Sequence, residues 1–138
     1  MKKQLKPWFY LAVVLLLTEG CFSNPFKSRK TTILGIVTDS DTKLPVSNLE
    51  IAIDGEKGTL GSVSRELKTV ITDSSGKYNV IIDAPKEFHS IQVGNLWDRK
   101  FSSKYRSYQT YLNGQRTQNC CRVEIGSTTQ YDFVMLPK

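Results

Sequence analysis

The chain has 138 residues, of which 39% are hydrophobic and 23% are charged, and its formal net charge at pH 7 is +6. This length allows one domain of about 100 residues, whose core needs no disulfide bonds to be stable. The sequence has no internal repeat and no low-complexity tract, which excludes repeat architectures and compositionally biased disordered chains.

The first 20 residues have the anatomy of a secretory signal. Three bases, Lys2, Lys3 and Lys6, precede an unbroken apolar run over residues 8–17. Ten apolar residues in a helix rise about 15 Å, about half of the hydrocarbon core of a bilayer, which disfavours a permanent transmembrane span. We therefore predict that residues 1–20 are a cleaved signal peptide.

Residues 17–21, which end this segment, resemble the bacterial lipobox, in which a small residue precedes a lipidated cysteine. Gly20 and Cys21 match that pattern. The resemblance implies that Cys21 is acylated, becomes the first residue of the mature protein and anchors it to the membrane. An ordinary cysteine near a cleavage site and an uncleaved anchor remain the alternatives. Residues 21–30 are polar and contain a proline, and we interpret them as a tether.

The residues after Cys21 bear on location and on partners. No acidic tract follows this cysteine, which favours an outer-membrane lipoprotein of the bacterial cell envelope that faces the periplasm over one displayed on the cell surface.

Without residues 1–20 the chain keeps 16 bases and 12 acids, a net charge of +4. A surplus of this size is a solubility feature, and export separates the protein from nucleic acid. We therefore expect no nucleic-acid partner.

From residue 31 onward, short segments alternate apolar and polar residues and are separated by turn formers. Alternation with period two is typical of half-buried strands, and several such strands with regular turns are typical of a sandwich. We predict an all-β domain over 31–138, an antiparallel Greek-key β-sandwich of about seven strands, transthyretin-like or immunoglobulin-like. The clearest predicted strands cover residues 31–38, 48–54, 68–72, 77–83, 89–93 and 129–136.

Part of this pattern resembles the carboxypeptidase regulatory-like family. The resemblance covers about residues 31–93 and depends most on the run Thr72-Asp73-x-x-Gly76-x-Tyr78, preceded by Gly35-x-Val37-x-Asp39 and Leu44-Pro45-Val46. It implies a transthyretin-like, seven-stranded Greek-key sandwich that serves exported bacterial proteins as an accessory module without catalytic residues. We therefore expect no enzymatic activity and no cofactor.

Residues 94–118 combine five aromatic residues with five bases and the single acid Asp98. Two structures compete for this segment. Apolar spacings of three and four would stripe one side of a helix, whereas Asn113-Gly114 is a strong type I′ hairpin signal. We favour the hairpin, because Ser, Thr and Tyr are mediocre helix formers.

Rings beside arginines can form a binding face, since rings stack on sugars and guanidinium groups take carboxylates or phosphates. We expect an envelope protein or a glycan as partner, and this segment is the candidate place for it. For the segment itself, the residues alone favour the simpler interpretation that the rings cap an open end of the sandwich while the bases remain solvated. The candidate binding residues are Trp97, Arg99, Tyr105, Arg106, Tyr108 and Tyr111.

The remaining chemistry lies in Cys120 and Cys121, a candidate redox pair. In a strand Cys121 would point inward and Cys120 outward. We expect two reduced thiols first, a vicinal disulfide second and an intermolecular bridge third, because ordinary disulfide geometry needs more widely separated Cα atoms than adjacent residues have.

His89 is distant in sequence from these cysteines and shares the alternation of a strand, so we expect a packed or edge histidine and no metal site.

Together these patterns predict a non-catalytic, lipid-anchored β-sandwich of the cell envelope that acts as an interaction or structural module. A lipoprotein that binds glycans or peptidoglycan fragments is the alternative.

Overall fold

The computed structural model describes residues 28–58, 63–94 and 99–138. The predicted signal peptide, Cys21, most of the tether and Trp97 lie outside the described residues, so what we expect of them stays a prediction.

The described residues form nine strands and one short helix. In chain order these are β1 (Lys30–Asp39), β2 (Glu50–Lys57), β3 (Val63–Ile71), β4 (Lys77–Asp83), β5 (Ser90–Val93), α1 (Arg99–Lys104), β6 (Tyr105–Leu112), β7 (Gln115–Thr117), β8 (Arg122–Val123) and β9 (Thr128–Pro137). Among these residues no helix has the length and apolarity to cross a membrane.

The strands make two sheets, with the orders β4-β1-β9-β6-β7 and β3-β2-β5-β8. The predicted all-β sandwich is confirmed, with two corrections. The strand count is nine rather than seven, because β7 and β8 are too short to show in the alternation of the sequence. The sheets are also not wholly antiparallel, since β1 and β9 run parallel.

The core lies between the two sheets and follows the predicted alternation. In β2, Ile51 and Ile53 are fully buried while Ala52 between them is half-buried. In β9, Tyr131, Phe133 and Met135 point inward, and the ring of Tyr131 stacks on that of Phe133 with centroids 6.4 Å apart. Burial of large apolar side chains on both inner faces holds the sheets together.

The residues that carry the family resemblance have structural contacts. The Thr72 hydroxyl bridges two backbone groups of the loop before β2. The Asp73 carboxylate accepts hydrogen bonds from two backbone N–H groups of its own turn, in which Gly76 has a φ of 70°. The buried Tyr78 hydroxyl donates to the carbonyl oxygen of Tyr131 at 2.6 Å. Each side chain therefore fixes a turn or joins two strands.

The two ends of the sandwich differ in how the chain leaves them. β1 begins at one end, which we call the tether end because residues 21–30 lead into it. β1 finishes at the other end, near Asp39, which we call the free end. The helix α1, the start of β6 and the last residues of β9 also lie at the free end, because Tyr105 pairs with Pro137 and Asp39 pairs with Met135.

Candidate interaction surface

The segment over residues 94–118 contains the predicted hairpin. β6 and β7 pair antiparallel around Asn113 and Gly114, which both have positive φ, as a type I′ turn requires. A helix is present too, but it covers only residues 99–104. The hairpin is therefore confirmed, and the aromatic stripe does not continue as a helix through Leu112.

The aromatic rings that the structure describes in this segment do not form one binding face. Tyr105 is 2% exposed and packs in the core, where its ring stacks on that of Phe101 at 6.3 Å. Tyr108 packs against the core with its ring edge-on to that of Phe133 at 5.6 Å. Strand alternation and a register shift between Tyr105 and Ser107 turn both tyrosines inward. Their expected place on a binding surface is therefore corrected.

Arg106 and Tyr111 lie on the outer face of the sheet. Arg106 is exposed and Tyr111 is half-buried. Tyr111 sits between Arg116 on β7 and Asp132 on β9 in the strand register. Arg99 begins α1 at the free end. The structure thus separates the predicted set into two core rings and an exposed edge rich in bases.

We call residues 99–123 the basic edge, because β7 and β8 are the edge strands of the two sheets on this side of the sandwich. The segment contains no Asp or Glu. Its six bases are Arg99, Lys100, Lys104, Arg106, Arg116 and Arg122.

Two of these bases have carboxylate partners from elsewhere in the chain. The Lys104 ammonium lies 3.5 Å from a carboxylate oxygen of Asp39, and the Arg122 guanidinium lies 4.0 Å from one of Glu56. Within the described part of the chain, neither Arg106 nor Arg116 has a carboxylate within 4.0 Å. The positive charge of these two exposed guanidinium groups is therefore not neutralised by a direct ion pair.

Asp39 is a buried carboxylate at the free end. One oxygen accepts hydrogen bonds from the backbone N–H groups of Asp41 and Thr42, and the other accepts one from the Tyr105 hydroxyl at 3.0 Å. These bonds, led by that from Thr42, lower the pKa of Asp39 to about 2 against the opposing effect of burial. The carboxylate thus stays charged and joins the β1–β2 loop to β6.

His89, Ser90 and Glu56 form a polar cluster at the tether end, which sequence reasoning missed because Glu56 belongs to a different strand. The Ser90 hydroxyl donates to Glu56 at 2.7 Å and lies 3.2 Å from Nδ1 of His89, while Nε2 of His89 lies 3.0 Å from the carbonyl oxygen of Gly58. In a catalytic triad the serine and the acid contact opposite nitrogens of the histidine. Here the Glu56 carboxylate and Nδ1 of His89 both contact the hydroxyl of the buried Ser90. The cluster therefore ties β2 to β5.

The two adjacent cysteines lie in the bend before β8. Cys121 is buried and Cys120 is exposed, as predicted. Their sulfur atoms lie side by side and do not diverge, because β8, in which alternate side chains would diverge, begins only at Arg122. Whether the two thiols are reduced or oxidised stays a prediction. A redox role stays a prediction. Among the described residues, no three His, Cys, Asp or Glu side chains are placed to hold a metal ion.

The described end of the tether is bound to the domain by Arg29, a residue that sequence reasoning did not single out. Its guanidinium donates three hydrogen bonds to the carbonyl oxygens of Ala84, Pro85 and Phe88, at 2.8, 2.9 and 2.6 Å. These bonds fasten the chain to the β4–β5 loop immediately before β1. The point from which the chain runs back towards Cys21 is therefore fixed.

No protein-family model matches the chain, and no curated protein matches it. Among solved structures, the chain is similar to the 9R-lipoxygenase from Cyanothece PCC8801, with 15% identity and a TM-score of 0.39 over 86% of this chain and 18% of the lipoxygenase. It is also similar to the C-terminal domain of the shaft pilin spaA from Lactobacillus rhamnosus GG, with 13% identity and a TM-score of 0.41 over 79% of this chain and 98% of that domain. The chain thus spans less than a fifth of the lipoxygenase.

Proposed function

We propose that the protein is a non-catalytic, lipid-anchored module of the bacterial cell envelope that binds another envelope protein. The observation that carries this proposal is the basic edge, where Arg106 and Arg116 are exposed and have no carboxylate within 4.0 Å among residues 28–58, 63–94 and 99–138. Exposed arginines are favoured in binding surfaces, because a planar guanidinium makes paired hydrogen bonds to an anionic group.

The geometry of the tether supports an anchored module. Arg29 follows Cys21 by eight positions, so a fully extended tether reaches at most about 29 Å. Because Arg29 fastens the chain to the β4–β5 loop, an acylated Cys21 would hold the tether end towards the membrane. The basic edge would then run away from the bilayer along β6.

We assign the domain to the carboxypeptidase regulatory-like class as part of the same proposal. The most specific residues of the resemblance, Thr72, Asp73, Gly76 and Tyr78, make the turn and the inter-strand contacts of β4. Side chains occupied in this way support an accessory module, whose residues build a fold and perform no reaction.

A glycan ligand is the second candidate, and the position of Tyr111 is what favours it. Its half-buried ring lies next to Arg116 on the outer side of the sheet, where a ring can stack on a sugar. Tyr105 and Tyr108 are turned into the core and supply no further platform. A protein partner is therefore the better supported of the two.

Intact-mass spectrometry of the membrane-extracted protein tests the anchor. We expect a mass equal to residues 21–138 plus acyl groups, and we expect a Cys21→Ser variant to lose them and leave the membrane fraction. An unprocessed mass for residues 1–138, or membrane retention of the serine variant, would contradict the anchored half of the proposal.

Chemical crosslinking of the envelope fraction tests the interaction. We expect a discrete protein adduct that an Arg106→Ala/Arg116→Ala variant loses. The matched control is Lys77→Ala/Lys86→Ala, which removes two exposed bases away from the basic edge and should leave the adduct in place. Equal loss in both variants would contradict the assignment.

A further inference from the structure

Arg106 and Arg116 lie at two levels along the basic edge. Arg106 stands near the start of β6 at the free end, and Arg116 pairs with Tyr111 further along the same strand. The five residues from 106 to 111 span about 17 Å in an extended strand. A ligand that pairs with both groups must therefore be extended over roughly that length.

The charge of the edge selects an anionic ligand. Residues 99–123 contain no Asp or Glu that could neutralise their bases. The side chain of Arg122 is 70% exposed, although it lies near Glu56. Lys104 is held by Asp39 and by the Tyr105 ring, with its ammonium 4.9 Å from the ring centre. Among the bases of this edge whose side chains the structure describes, Arg106 and Arg116 are therefore the two without a carboxylate partner.

Three anionic partners are chemically reasonable, and the geometry favours one. A sugar polymer would need exposed rings for stacking, and Tyr105 and Tyr108 are in the core. β6 runs from the free end to the tether end, so the basic edge extends along the length of the sandwich. A lipid surface would therefore contact only one end of the basic edge. An extended polypeptide repeats its side chains on one face about every 7 Å, which lets two carboxylates reach both levels.

We propose that the basic edge binds an acidic, extended segment of a protein partner. Arg106 and Arg116 each pair with a carboxylate, and the two carboxylates lie four to six residues apart on one face of the extended partner segment, which spans about 14–20 Å. This inference rests on the proposed function, because it names the chemistry of the partner of the same surface.

Binding to defined probes tests the inference with the full-length protein in detergent micelles. The probe is a fluorescein-labelled 12-residue peptide of alternating Glu and Thr, compared with the same peptide carrying Gln in place of Glu. Fluorescence anisotropy should show binding of the Glu peptide only, weakening as salt is raised. The Arg106→Glu/Arg116→Glu variant should weaken binding about tenfold or more, since two close charge pairs are lost.

Two variants separate this surface from general electrostatics. Lys77→Glu/Lys86→Glu makes the same change of net charge elsewhere on the surface and should change the affinity by less than about twofold at physiological salt. Arg106→Lys/Arg116→Lys keeps the charge and removes the guanidinium fork, and it should give an intermediate loss. Equal effects of the two Glu variants, or full affinity in the Lys variant, would overturn the inference.

Parallel titrations with vesicles containing phosphatidylglycerol and with solubilised peptidoglycan complete the test. Tighter binding of either than of the Glu peptide, lost in Arg106→Glu/Arg116→Glu, would overturn the choice of an acidic protein segment while leaving the basic edge as a binding surface. The peptide result does not depend on acylation, so a failure of the anchor in mass spectrometry and a failure of this inference are distinguishable.

Discussion

The two long edges of the sandwich handle charge in opposite ways. Residues 63–83, which form β3, β4 and the turn between them, carry three bases and three acids. Two of these bases are engaged: the Arg65 guanidinium lies 5.0 Å from the centre of the Phe88 ring and 2.7 Å from Glu87, and the Lys68 ammonium lies 3.4 Å from the carbonyl oxygen of Ile81. Residues 99–123 carry six bases and no acid.

This difference separates charge that serves the fold from charge that is available to a partner. Charged side chains on an edge strand help to protect that edge from pairing with another chain, and Arg65 and Lys68 are exposed bases of this kind with partners inside the domain. On the basic edge, Arg106 and Arg116 point to solvent and have no such contact among the described residues. We therefore expect mutations on the β3–β4 edge to change stability and mutations on the basic edge to change binding.

Phe88→Ala should have the largest effect on stability. Phe88 is 1% exposed and lies under the bases of the β3–β4 edge, so the change leaves a cavity and removes the partner of Arg65. Loss of a buried phenylalanine costs about 3–5 kcal/mol of unfolding free energy. Urea unfolding followed by circular dichroism measures it. The control is Tyr111→Ala on the basic edge, which should cost less than about 1 kcal/mol.

Asp39 should make stability sensitive to acid at the free end. Its pKa falls from 3.8 to about 2 on folding, so its contribution is fully present above about pH 4 and is lost as the pH falls towards 2. Asp39→Asn should cost about 1–2 kcal/mol at pH 7. Unfolding free energies at pH 7, 4 and 2.5 measure this loss.

The difference between the two proteins should shrink towards pH 2, because both then carry an uncharged group at this position. A constant difference across the three pH values would show that the charge of Asp39 does not contribute.

A paired comparison of Arg65→Ala and Arg116→Ala should give the smallest effects and sharpen the contrast between the edges. Replacement of Arg65 removes an exposed ion pair and a ring contact, which together contribute about 1 kcal/mol to the free energy of unfolding. Arg116 has no carboxylate within 4.0 Å among the described residues, so its replacement should stay within about 0.5 kcal/mol. Equal losses of stability would remove the distinction between the edges.

The sandwich could be predicted from the sequence because its strands are amphipathic. Leu49, Ile51 and Ile53 alternate with Glu50 and the small Ala52, and all three are fully buried. Asn113-Gly114 likewise predicted a hairpin that is present. The parallel pairing of β1 with β9 and the short β7 and β8 could not be predicted, because strand order depends on contacts between distant segments.

The candidate surface could be predicted only in part. A count of rings and bases located the segment, but it could not tell which side chains face the core. Tyr105 and Arg106 are neighbours in sequence and lie on opposite sides of β6, one buried and one exposed. The Arg29 bonds to the β4–β5 loop gave no sequence signal, because their acceptors are backbone carbonyl groups more than 50 residues away.

Site-specific photocrosslinking in living cells tests the central claim, that the basic edge is where a protein partner binds. A photoreactive residue is placed at position 106, at position 116 and, as a control, at position 77 of the opposite edge, and the adducts are sequenced by mass spectrometry. The account predicts one protein adduct shared by positions 106 and 116, with an acidic contact peptide, and none from position 77. The same adduct from position 77, or adducts from 106 and 116 that are lipid, glycan or non-acidic peptide, would contradict it.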